Sequence, residues 1–230
     1  MDAGPFVVIG LLVVALVVAA VRDVARGRRE RRAPQPVSTR VGPRRLVLVR
    51  HGETEWSRLG KHTGRTDVPL TEEGRAQAVR TRALLEGWKF DAVLVSPLGR
   101  AQETLELLDR TEPVTVTDDL REWDYGDDEG RTTAEIREVR PGWTVWRDGP
   151  AGGESLLDVA GRVARLLLLA GRHEGDVLVV AHGHVLRVLA ARWLELHPDA
   201  GRLLALDPAT ISVLGHEREQ PVLSRWNVSG

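Results

Sequence analysis

From residue 45 onward, short solid runs of apolar residues alternate with longer stretches whose apolar positions recur at helical spacing. "RLVLV" (45–49), "DAVLVS" (91–96), "VTV" (114–116) and "DVLVVA" (176–181) are short and β-branched, the pattern of strands covered on both faces. Helices are predicted over 72–86, 99–109, 133–140, 155–172 and 184–196. Thr71 stands where an N-cap belongs, and Ala76, Val79, Ala83 and Leu84 mark the expected inner side of the first helix. Pro97 ends the second strand and Pro141 the third helix. Two last runs, 210–216 and 221–228, read as an antiparallel edge. Strands separated by helices predict an α/β fold, a three-layer sandwich whose mostly parallel sheet is flanked by helices.

The first 45 residues follow another pattern. Ala3 to Val21 is an uncharged run of 19 residues, followed by Arg22, Arg26, Arg28, Arg29, Arg31 and Arg32. As a helix it would be roughly 28 Å long, enough to cross the hydrocarbon core. Positive charge after the run, and Asp2 before it, is the reverse of a secretory signal and places the arginines in the cytoplasm. The expected organisation is a membrane anchor over 1–22, a basic, proline-containing linker over 23–43, and one domain over 44–230. This makes a single-pass membrane protein with a cytoplasmic domain. Were translation to start near Val37 or Val41, the domain alone would be cytoplasmic.

Composition narrows the chemistry. There is no cysteine, which excludes disulfides, thiolate metal sites and a cysteine nucleophile. The net charge of −1 combines +6 over residues 1–45 with −7 over the rest, and an acidic body argues against a nucleic-acid partner.

In parallel sheets ligands bind beyond the carboxyl ends of the strands. Three predicted strands end in Arg50-His51, Ser96-Pro97-Leu98-Gly99-Arg100 and Ala181-His182-Gly183-His184. Guanidinium forks match phosphate oxygens, and imidazoles titrate near neutrality. Phosphoryl transfer needs positioning and positive charge, then an acid for the leaving oxygen. Glu122, in "LREWDYGDDEG" after the third strand, is a candidate acid, provided that it holds a proton at working pH or gains one when phosphate binds.

"LVRHGETEW", "SPLGRAQET", "LREWDYG" and "VAHGHVLR", in this order, resemble the histidine phosphatase (phosphoglycerate-mutase-like) superfamily over about residues 45–228. The resemblance implies His51 as the nucleophile forming a phosphohistidine. It implies Arg50, Arg100 and His182 around the phosphate and Glu122 as proton donor. It also places Thr54, Ser57, Thr63, Gly64, Gly183 and His184 near a small phosphorylated substrate. No metal and no organic cofactor is implied.

Ser57 and His184 stand where the mutases of the superfamily carry asparagine, and the chain most resembles its bacterial acid phosphatases. A phosphatase is therefore expected. The alternatives are a phosphoglycerate mutase, a sugar bisphosphatase, or an inactive membrane-tethered binder of phosphorylated ligands. His182 and His184 lack carboxylate partners at metal-ligand spacing. Trp143 and Trp146 could floor an apolar subsite or pack a cap segment, and His62 could touch substrate or face solvent.

Overall fold

The computed structural model describes residues 42–230. The anchor expected over 1–22, and the linker as far as residue 41, lie outside the described residues. Among the described residues no helix is long and apolar enough to cross a membrane.

Strands β1 (Arg45–Arg50), β2 (Phe90–Val95), β3 (Val114–Val116), β4 (Asp176–Ala181), β5 (Ile211–Glu217) and β6 (Gln220–Val228) form one sheet in the order β3-β2-β4-β1-β5-β6. β3, β2, β4 and β1 run parallel, and the β5–β6 hairpin adds the expected antiparallel edge. The helices are α1 (Glu55–Arg58), α2 (Glu72–Leu84), α3 (Gly99–Leu107), α4 (Thr133–Val139), α5 (Val145–Asp148), α6 (Leu156–Ala170) and α7 (Gly183–Trp193).

Alternation along the strands divides the core into two faces. Leu46, Leu48, Leu94, Val177 and Val179 pack with Val159, Val163 and Leu166 of α6 and Val185, Leu186 and Leu189 of α7. Val47, Val49, Val93, Val95, Leu178 and Val180 face Leu85, Ala101, Leu105 and Leu108 on the other side. β4, paired on both edges, is buried at all six positions.

The inner side expected for α2 is corrected. Val79 is 53% exposed and Ala76 and Ala83 face solvent; of the four, Leu84 is half-buried against the core, while Gly74, Ala78, Thr81 and the following Leu85 are buried. The reason is close approach. A Cβ on Gly52 would lie 2.3 Å from the Gly74 carbonyl oxygen, and one on Gly74 would lie 2.1 Å from that of Glu53. Small residues let α2 sit on the loop after β1, and they carry little hydrophobic signal. Thr71 does cap α2, its Oγ1 accepting from the Gly74 N–H at 2.9 Å. The short α1 and α5 were not expected.

Register positions the site. Val49 and Val95 both pair with Val180, so β1, β2 and β4 end at one level. The His51 N–H donates to the Ala181 carbonyl at 2.9 Å, and that of Ser96 to Val180 at 3.1 Å. His51, Ser96 and His182 therefore leave the sheet side by side.

Candidate active site

A cavity of about 370 Å³ opens at this rim, lined by Arg50, His51, Glu122, Tyr125 and His184, with Ser57, Lys61, His62, Thr63, Trp143 and Trp146 among its walls. His51 is 5% exposed. Its Nδ1 lies 2.7 Å from the Gly52 carbonyl, which can only accept, so Nδ1 carries the proton and Nε2 keeps a lone pair. Burial, followed by the charges of Arg100 and Arg50, holds the imidazole well below its ordinary pKa, hence neutral. Gly52 is itself held by Thr104 of α3, whose Oγ1 accepts from its N–H at 3.1 Å.

Arg50 Nη1 donates to the Leu206 carbonyl, while its Nε is buried without a hydrogen-bond partner. A buried unpaired donor is costly unless a ligand supplies the acceptor.

α7 starts at Gly183 with no side-chain cap of its own. Glu122 supplies it from another loop: Oε2 accepts from the His184 N–H and Oε1 from that of Val185, both at 2.9 Å. Oε1 also accepts from the Trp123 N–H at 2.9 Å. A Cβ on Gly183 would lie 3.4 Å from the Arg50 guanidinium and 3.7 Å from Glu122 Oε2. Arg50, Glu122 and the start of α7 thus converge, and helix N-termini favour anions.

Arg100 and His182 stand behind His51 and do not line the cavity. The Arg100 side chain is fully buried. Its Nε donates to His182 Nδ1 at 3.2 Å, Nη1 to the Thr66 carbonyl at 3.0 Å, and Nη2 to the carbonyls of Thr63 and Gly64 at 3.2 and 3.0 Å. Accepting at Nδ1 leaves His182 with its proton on Nε2, which donates to Ser96 Oγ at 2.7 Å. The two imidazole centroids are 5.1 Å apart.

Thr54 and Ser57 form a reciprocal capping box at the start of α1. Thr54 is completely buried away from the cavity, whereas Ser57 lines it. Thr63 also lines the cavity. Gly64 instead packs under the Glu122 loop, where a Cβ would lie 2.6 Å from the Trp123 carbonyl oxygen.

Sequence reasoning missed Tyr125 and Ser96, although both lie inside quoted motifs. Burial, then the Glu122 charge, raises the Tyr125 phenol well above its ordinary pKa. It therefore remains a donor to His184 Nδ1 at 2.7 Å, which puts the His184 proton on Nε2. His62 lines the cavity, its ring centroid 4.7 Å from Tyr125 in a tilted contact and 5.4 Å from Trp143 edge-to-face. Trp146 lies 5.2 Å from His184 and 5.6 Å from Trp123, so the two tryptophans both pack the cap segment and wall the cavity. Among the described residues no cluster of three or more His, Asp or Glu could hold a metal ion.

Burial holds four histidines of this site, His51, His62, His182 and His184, below their ordinary value of 6.5, His62 at about 4. Below pH 6.5 the unfolded chain takes up protons that the fold refuses, so this stability is lost as pH falls towards the folded values. The thermal midpoint should fall between about pH 7 and pH 5. A level or rising midpoint over that interval contradicts the neutral cluster.

Residues 46–229 match the model of the histidine phosphatase superfamily, branch 1. An acid phosphatase of Mycobacterium tuberculosis is 44% identical over 190 residues, covering 81% of this chain and 93% of that protein. A 2,3-bisphosphoglycerate-dependent phosphoglycerate mutase of Xanthobacter autotrophicus is 39% identical over 180 residues, covering 69% and 85%. The solved structure of an open reading frame from Mycobacterium tuberculosis superposes with a TM-score of 0.77 at 42% identity, covering 80% of this chain and 97% of that one. With a mixed sheet that delivers two histidines and two arginines to one rim, and a match running from β1 to the end of β6, the chain belongs to the histidine phosphatase superfamily.

Proposed function

We propose that this protein hydrolyses phosphate monoesters through a phosphohistidine on His51, with Glu122 moving the proton. The observation that carries this reading is one cavity holding a neutral His51 with its Nε2 lone pair and an Arg50 whose buried Nε has no partner. Nε2 attacks phosphorus, the bond to the leaving oxygen breaks, and the proton on Glu122 goes to that oxygen. Water then attacks the phosphohistidine, gives its proton to Glu122, and the P–N bond breaks to release inorganic phosphate. Arg50 and the start of α7 stabilise the equatorial oxygens. Arg100 and His182 stand behind His51 and hold its surroundings. Ser57, Thr63 and His184 face the leaving group, while Thr54, Gly64 and Gly183 keep the walls in place.

Hydrolysis is favoured over the mutase reaction by how the arginines between Tyr125 and Glu154 are used. Arg131 and Arg140 pair with Asp128, and Arg147 pairs with Asp148. The fourth arginine of this stretch, Arg137, is the one of the four that lines the cavity. A mutase must hold phosphoglycerate by its carboxylate in two orientations. The name of the Mycobacterium tuberculosis relative, acid phosphatase, agrees with hydrolysis.

The uncharged run at 3–21 and the arginines after it support a membrane tether, with the domain in the cytoplasm. One assay tests both points. Lysate of cells producing the full chain should release p-nitrophenol from p-nitrophenyl phosphate, with the activity in the membrane pellet. Folded protein that binds phosphate without hydrolysing it, or that interconverts 2- and 3-phosphoglycerate instead, overturns the phosphatase. Activity confined to the supernatant removes the tether.

A further inference from the structure

We propose that Arg162 and Glu154 form a clamp that sets the position of Glu122, which makes Arg162 a positioning residue for proton transfer. The proposal rests on the reading of Glu122 as the proton donor. Glu122 lies in neither a strand nor an α-helix, between two 3-10 turns at Asp118–Leu120 and Gly126–Asp128. Its backbone therefore gets no regular hydrogen-bond ladder, and something else must fix it.

Arg162, on α6, is 8% exposed and uses all five of its donors. Nη1 donates to the carbonyls of Asp119 and Arg121, both at 2.9 Å, and Nη2 to the carbonyl of Glu122 itself at 3.2 Å. Nε and Nη2 grip the two carboxylate oxygens of Glu154 at 2.7 and 2.9 Å. Glu154 then holds the other side of the loop. Its Oε2 accepts from the Asp124 N–H at 3.0 Å and its carbonyl from the Trp123 indole at 2.7 Å. Its own N–H donates to the Asp124 carbonyl at 3.0 Å.

One bidentate ion pair thus ties down the backbone on both sides of Glu122. The carboxylate end is fixed separately by the N–H groups of α7. Proton transfer requires hydrogen-bond reach, and a displacement of about 1 Å is enough to forfeit much of the benefit. Lysine has three donors at one point and cannot reproduce the planar fork. Loosening the clamp should leave the phosphate grip and His51 intact and impair delivery of the proton.

The test compares kcat/KM of the full chain on p-nitrophenyl phosphate, whose leaving group needs no proton, and on glycerol 2-phosphate, whose leaving group does. This ratio reports steps up to phosphoryl transfer, before the phosphohistidine is hydrolysed. Glu122→Gln and Arg162→Met should both lose about 100-fold on glycerol 2-phosphate and less than about 5-fold on p-nitrophenyl phosphate. Glu154→Gln, which keeps size and one acceptor, should show the same selectivity with a smaller loss and guards against misfolding of Arg162→Met.

Selective loss in Glu122→Gln, with equal loss or no loss on both esters in the two clamp variants, overturns the clamp and leaves the acid role standing. Equal loss on both esters in Glu122→Gln itself overturns the acid role, and the clamp falls with it.

Discussion

His51→Ala is expected to lower kcat by at least about four orders of magnitude and to abolish any acid-labile phosphoenzyme. Both losses have one origin. The Gly52 carbonyl fixes the proton on Nδ1, and burial together with the neighbouring guanidinium groups favours the neutral ring, so Nε2 keeps the lone pair that the proposed attack needs. Neither histidine after β4 is equivalent. His182 has both nitrogens engaged, by Arg100 and Ser96, and His184 presents an N–H rather than a lone pair. The fold should survive, because the side-chain hydrogen bond that is lost joins His51 to the adjacent residue. Steady-state rates and rapid-quench trapping of labelled enzyme check the two losses separately. Turnover within tenfold of the parent would mean that the nucleophile is elsewhere.

Arg100→Ala should damage activity and stability together. The side chain is completely buried, and its truncation strands the carbonyls of Thr63, Gly64 and Thr66 and the Nδ1 of His182. Each unsatisfied buried acceptor costs about 1–3 kcal/mol, so the thermal midpoint should fall by about 10 °C. The 63–66 carbonyls would lose the donor that draws them to the wall of the cavity, and His182 would lose its fixed tautomer. KM for p-nitrophenyl phosphate should rise and kcat should fall, about 1000-fold combined, because the charge acts on ground and transition states alike. Arg100→Lys should not rescue it, since one ammonium cannot serve acceptors on opposite sides. Calorimetry and kinetics on the pair decide it; a lysine variant with parental rates and midpoint would show that the network is dispensable.

How much of this was legible in the chain varies by element. The strand ends of β1, β2 and β4 could be read because apolar runs such as "VLVVA" break off abruptly at a polar residue, His182 in this case. Glu122 was legible as chemistry, but not its grip on the N–H groups of His184 and Val185, because capping from 62 residues away leaves no local pattern. Thr54 and Ser57 were read as substrate contacts by resemblance; their spacing of three is also that of a capping box, which they form, with Thr54 buried and Ser57 in the cavity lining. The inner side of α2 was misread because Gly74, Ala78 and Thr81 are inside for their size, not for their hydropathy. Arg162 gave no signal at all: an arginine in an amphipathic helix reads as solvated, and only the folded loop supplies three carbonyls to it.

The sequence by itself determined the α/β class, a mostly parallel sheet with an antiparallel edge, and the residue types at the rim. These follow from local periodicity and from the rule that ligands meet such sheets at their carboxyl ends. Tertiary structure alone decided which of those residues face the cavity and which stand behind it. It placed Arg100 and His182 behind His51, outside the cavity lining, and left Arg50 Nε in want of an acceptor. The physical reason is that tautomers, caps and buried donors are satisfied across long sequence separations. Their outcome depends on which carbonyl or carboxylate the fold brings within 3 Å or so, and no local pattern encodes that distance.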